Sequence, residues 1–199
     1  MARMTRSDRQ RRAIAYHEAG HAVVGYFCPQ MPKARRVTIV ATDDWLGRVL
    51  LHSSRWLRRR LSAGDWSPRT EVRCYEQIMT SLAGPLAERR FTGRLNRRGA
   101  GYDGTSSVVR GSDYDTVSDL VLRLAGEDAQ DQLALGRWLQ RRTENMLSNY
   151  WKAVEAVAAA LVERGTIKGQ AALGTIIDGA YGLKPLALPR RSANRAAGS

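Results

Sequence analysis

The sequence predicts a mainly α fold of the α+β kind, a set of amphipathic helices carrying one small β hairpin. Three observations lead there. Apolar residues recur at helical spacing through much of the 199-residue chain. One neighbouring pair of segments, RRVTIVA (35–41) and LGRVLLH (46–52), has the β-branched and apolar character of strands, and TDDW between them reads as a turn. Helix punctuation, Ser or Pro ahead of a periodic stretch and Gly or Pro behind it, falls at the ends of the remaining segments.

In chain order, Ser7 followed by Gln10 is a capping-box pattern, so the first helix begins near residue 8. Ile14, Val23, Val24 and Phe27 follow at helical spacing, and Pro29 and Pro32 end the helix. The hairpin comes next. Gly64 and Pro68 punctuate a loop, and Ser67–Pro68 opens a helix over about 68–91. Gly84–Pro85 should kink that helix, because Pro85 has no N–H to donate. Residues 92–112, rich in Gly, Ser and Arg, read as a long mobile loop. Ser112 caps a helix over about 113–125. Residues 135–165 contain a long helix ended by Gly165, and a short helix covers about 169–179. The expected organisation is a basic N-terminal extension (1–12), one domain (13–182) and a disordered tail (183–199).

Apolar residues make up 43% of the chain, a globular rather than a disordered share. No apolar run reaches the roughly 18 residues of a membrane span. The basic start is followed by polar residues rather than the apolar core of a signal peptide. Cys28 and Cys74 are too few and too far apart for a disulfide framework, so a reduced, cytoplasmic setting is expected. No GxxxxGK[ST] phosphate loop occurs, so an ATPase of that type is not expected here. The net charge is +13, with arginine clusters at 55–60 and 89–98. Nucleic acid, anionic membrane and acidic protein are the partner chemistries such charge attracts. With only Trp56 and Phe91 interleaved and no DNA-binding module recognisable, a solvated arginine-rich surface is the plainer account.

The stretch AYHEAGHAVVGYF (15–27) carries the chemistry. Two of the three histidines, His17 and His21, stand four residues apart and so share one helix face. Two imidazoles so placed converge on one zinc ion at about 2.0–2.1 Å. Glu18, one step round the helix, is turned off that face yet stays close enough to act as base toward a zinc-activated water. The alternative is a surface helix with two partly buried histidines. Gly20 within this helix points to a tight contact with a second helix.

A catalytic zinc usually has a third protein ligand. His52, three glutamates of the next helix (Glu71, Glu76 and Glu88), and Asp113 or Asp115 are the available donors. Steps of +4, +7, +8 and +11 from Asp113 reach Val117, Leu120, Val121 and Leu124, all apolar, so Asp113 heads an inward stripe. The same steps from Asp115 meet Asp119, Leu122, Arg123 and Gly126. Asp113 is favoured, with Asp115 as the alternative.

These segments carry a resemblance. AYHEAGHAVVG looks like the metal-binding helix of the FtsH-type, ATP-dependent zinc metalloproteases. RRVTIVA with WLGRVLL is similar to that family's strand pair, IMTSLAGPLAERRFTG (78–93) to its second helix, and GSDYDTV to the segment bringing an aspartate ligand. NMLSNYWKAVEAVAAALVERGTIKG (145–169) resembles its closing helices. The resemblance implies a helical, zincin-like protease domain with a Zn2+ cofactor. It implies His17, His21 and Asp113 as metal ligands and Glu18 as catalytic base. Leu46, Gly47, Arg48 and Val49 would form a strand edge on which extended polypeptide substrate pairs. It also implies a hexameric ring or a separate ATPase partner, since the family's membrane anchor and ATPase module have no counterpart among these motifs. Pro85 and Leu86 depart from the family's usual second helix. The function so implied is hydrolysis of peptide bonds in unfolded or flexible protein. The alternatives are a DNA-associated HExxH protease and a non-catalytic, metal-stabilised module that binds peptides or a partner.

Overall fold

The computed structural model describes residues 6–40, 48–51, 55–93 and 113–183. Of the loop expected over 92–112, residues 94–112, and of the tail expected over 183–199, residues 184–199, lie outside them, as do Ser112 and His52. Within them the chain is mainly helical: α1 (Arg6–Phe27), β1 (Ala34–Thr38), β2 (Arg48–Leu51), α2 (Arg55–Ser62), α3 (Pro68–Thr92), α4 (Asp113–Ala125), α5 (Ala129–Asn149), α6 (Trp151–Arg164), β3 (Thr166–Lys168) and α7 (Gln170–Ala180).

The centre of the fold is the crossing of α1 and α3. Ala15, Ala19, Ala22 and Val23 of α1 are buried, as are Ala83 and Ala87 of α3. Small residues let the two backbones approach. A Cβ at Gly20 would collide with the carbonyl oxygen of Ala83 and stand 2.8 Å from Ala87 Cβ, so the tight contact expected at Gly20 is present. An aromatic stack then fixes the angle of approach. Tyr16 of α1 lies flat on Phe91 of α3, with ring centroids 4.2 Å apart, and Trp151 of α6 stacks on Tyr16 at 5.7 Å. Phe91 thus packs α3 against α1.

β1 and β2 form the expected antiparallel pair, with Val37 opposite Val49 and Thr38 opposite Arg48. The sequence reading omitted a third strand. β3 pairs antiparallel with β1 on the other side, giving the order β2-β1-β3. Three residues are too few for alternation to show; Gly165, in the left-handed region at φ 71°, turns the chain so that they reach β1.

Two further differences have physical reasons. The arginine cluster at 55–60 lies on a helix, α2, in which Leu57 and Leu61 lie four apart and pack inward while the arginines stay in solvent. The single long helix expected within 135–165 is two, α5 and α6. The chain leaves helical geometry at Tyr150 (φ −108°, ψ 21°), whose ring stacks on Phe27 at 3.8 Å. α3 continues as one helix through Pro85 to Thr92 and ends at Gly93 in the left-handed region. No helix among the described residues is long and apolar enough to cross a membrane.

Candidate metal centre

α1 carries His17, Glu18 and His21 to the α3 crossing, and α4 begins there with Asp113. His17 Nε2 lies 3.1 Å from His21 Nε2 and 3.1 Å from Asp113 Oδ2, and His21 Nε2 lies 3.3 Å from the same oxygen. Among the described residues these are the His, Cys, Asp or Glu side chains that gather as a metal-binding group.

The outer nitrogen of each ring fixes what the inner one can do. His21 Nδ1 donates to the carbonyl oxygen of Thr80 at 2.7 Å. His17 Nδ1 donates to Glu88 Oε2 at 3.0 Å. Each neutral ring then presents its Nε2 lone pair inward, toward the other ring and toward a carboxylate. Three acceptors pointed at one another repel unless a cation or protons lie between them. Ligands of a tetrahedral zinc at about 2.0–2.1 Å stand roughly 3.3–3.4 Å apart, close to the three edges measured here. The donor set, two imidazoles and one carboxylate, suits that ion.

Without a metal, protons take its place. Burial pulls the His17 pKa down, but its hydrogen bonds to Asp113 and Glu88 outweigh this and raise it to about 10. His21 is raised as well: burial opposes, and the Asp113 charge and hydrogen bond prevail. Burial pushes the Asp113 carboxyl up, yet the two imidazoles hold it well below the usual carboxylate range.

Glu18 is 5% exposed, and its Oε2 is a buried atom with no hydrogen-bond partner among the described residues. Burial raises its pKa, partly offset by His21 and His17. A buried carboxylate lacking a partner is costly to keep.

α3 supplies the support. Thr80, Gly84 and Glu88 are spaced i, i+4, i+8, so one face of α3 meets both histidines. A Cβ at Gly84 would clash with the His21 ring, Nε2 nearest. Glu88, one of the candidate third ligands, instead holds the His17 ring from its outer nitrogen. Of the other two glutamates, Glu71 accepts from the Tyr75 hydroxyl and Glu76 Oε2 accepts from Gln30 N at 2.7 Å. Glu76 shares the Thr80–Gly84–Glu88 register, so what sets Glu88 apart is its contact with His17 of α1. Asp113 heads the buried stripe of Val117, Leu120 and Val121, as its register requires. Asp115 has no place in the cluster. Of the four residues assigned to a substrate strand, Arg48 and Val49 lie in β2, at the margin of the sheet. Leu46 and Gly47 lie outside the described residues.

The family model for peptidase family M41 matches residues 4–106. ATP-dependent zinc metalloprotease FtsH 4 of Sphaerobacter thermophilus is 29% identical over 186 residues, covering 82% of this chain and 28% of that protein. FtsH of Acidimicrobium ferrooxidans is 29% identical over 196 residues, covering 88% and 29%. FtsH of Haemophilus influenzae is 33% identical over 93 residues, covering 47% and 13%. The chain thus spans less than a third of the length of these relatives.

Proposed function

Because this chain belongs to peptidase family M41, a metallopeptidase family whose relatives are named as zinc enzymes, we propose that it hydrolyses peptide bonds in unfolded or flexible polypeptide. In this reading His17 Nε2, His21 Nε2 and Asp113 Oδ2 hold the Zn2+, and Glu18 is the catalytic base. When bound, zinc supplies Lewis acidity, acidifying water and polarising a carbonyl oxygen. Glu18 takes a proton from the attacking water and later returns it to the leaving amine. Its raised pKa suits both tasks, since a stronger base accepts the proton more readily. Glu88 and the Thr80 carbonyl hold the two imidazoles in the tautomer that binds metal, and the charge on Glu88 makes His17 the better donor.

Substrate would pair along β2, with Arg48 and Val49 contributing backbone groups at the sheet margin. Recognition through main-chain bonds suits a protease with broad sequence tolerance. Folded substrates would need an ATPase to unfold them, joined to this domain or docking on it.

The observation that carries this reading is the convergence of three metal-donor atoms beside a buried, unpartnered glutamate. Casein digestion by the zinc-loaded chain tests it. Glu18→Gln should lower the rate by about 100- to 10,000-fold while zinc stays bound. Equal activity of wild type and Glu18→Gln would remove the catalytic assignment. Equal inertness with zinc retained would favour a module that binds peptide without cutting.

A further inference from the structure

The arginines of α2 and of the N-terminal half of α3 take no part in the centre above; they surround Trp56. Two cavities meet at this side chain. One, of about 230 Å3, is lined by Gln30, Pro32, Trp56, Leu57, Arg69 and Arg73. The other, of about 440 Å3, is lined by Arg55, Trp56, Arg59, Arg60 and Ala63. The guanidinium groups of Arg60 and Arg69 stand 5.5 and 5.4 Å from the centre of the Trp56 ring.

Arg73, lining the smaller cavity, is only 4% exposed. It donates to Met31 Sδ at 2.7 Å and to Gln77 Oε1 at 3.0 Å. No carboxylate among the described residues forms an ion pair with it. Glu76, the acidic group acting on it, is engaged by the N–H of Gln30. Of the surrounding cations, Arg60 is paired with Asp65 at 2.9 Å. Arg55, Arg59 and Arg69 have no carboxylate partner among the described residues. A guanidinium buried against a thioether and a neutral amide is under-compensated, and its planar fork matches an incoming carboxylate.

We propose that the cleft between α2 and the N-terminal half of α3 binds an acidic polypeptide segment. A carboxylate of that segment seats on Arg69 and Arg73, and an aliphatic stem packs on Leu57 and Pro32. Three features favour peptide over nucleic acid. The wall is half apolar, which suits an anion borne on hydrocarbon. The smaller cavity has the size of one side chain. The Trp56 ring is already engaged by two guanidinium groups, which leaves base stacking without a platform.

Calorimetric titration of the full chain carrying Glu18→Gln, so that the probe is not cut, tests this. The probes are a blocked decapeptide of four glutamates and two leucines in a glycine–serine frame, its all-glutamine counterpart, and a single-stranded DNA decamer. The glutamate peptide should bind, and the glutamine peptide should bind at least about tenfold more weakly. Arg69→Gln, a change to an exposed side chain, should weaken the glutamate peptide by at least about tenfold with zinc content unaltered. Arg73→Gln should do the same wherever it folds. The proposal is overturned if the glutamate peptide does not bind or the two peptides bind alike. Arg69→Gln leaving the affinity unchanged, or the DNA decamer binding more tightly than the glutamate peptide, would overturn it too. None of these outcomes bears on the metal centre, so the peptidase reading stands or falls separately.

Discussion

The C-terminal half of α3 lies against α1 at backbone distance, with Gly20 and Ala83 in contact. There it offers a carbonyl (Thr80), a vacant Cβ position (Gly84) and a carboxylate (Glu88) to two imidazoles. The N-terminal half faces α2 across open cavities and offers long cationic side chains, Arg69 and Arg73. The contrast separates two ways of building a site. Donor atoms that must stand about 3.1–3.3 Å apart are set by small residues and short, fixed groups. A surface for a variable partner is set by charge and reach. The first tolerates almost no displacement, and the second tolerates a good deal.

The most damaging change within this comparison should be Gly84→Ala. The new methyl clashes with the His21 ring, so zinc affinity and peptidase rate should each fall by about 100-fold or more. Zinc titration and casein digestion measure this, and full activity would show that the ring has room to move. At the other end of the same helix, Arg69→Gln should leave zinc affinity unchanged.

Glu88→Gln comes next. The amide can still accept from His17 Nδ1 but carries no charge, so zinc affinity should fall by about 10- to 100-fold without loss of the fold. Competition with a chromogenic chelator gives the number. Gly20→Ala should act on stability instead, through contact with Ala83 and Ala87 on α3. A loss of about 1–3 kcal/mol in urea unfolding is expected, with bound zinc recovering part of it.

The smallest effect concerns protons. The pKa of His17 in the folded, metal-free chain lies near 10 against an ordinary 6.5. A raised folded-state pKa stabilises the metal-free fold fully below about 6.5, and that contribution is lost as pH rises toward 10. Zinc must displace the same proton, so between these values its uptake should release protons and its affinity should rise with pH. Calorimetry in buffers of different ionisation enthalpy would detect the release. Uptake without proton release at pH 7.5 would mean the imidazoles are already neutral.

Much of the site was legible in the sequence because it is written in helix register. HEAGH places His17, Glu18 and His21 within one turn and a half, and Asp113 betrays its direction through Val117, Leu120 and Val121 behind it. The expected partner of Gly20 was found for a similar reason: a glycine inside a helix needs a close neighbour. Glu88 was harder, since three glutamates share its helix and only contact with α1 distinguishes them. β3 and the break at Tyr150 were illegible because both depend on tertiary partners, Val37 with Thr38 and Phe27, that no local pattern announces. α2 was hidden by its arginines, which mask a two-leucine face.

The central claim is that His17, His21 and Asp113 together hold one metal ion. Zinc content per chain, measured after reconstitution and gel filtration for wild type, His17→Ala, Asp113→Ala and Asp115→Ala, tests it most directly. One zinc per chain in wild type and Asp115→Ala, with little in His17→Ala and Asp113→Ala, is the predicted pattern. Full zinc in Asp113→Ala, or loss in Asp115→Ala alone, would contradict it.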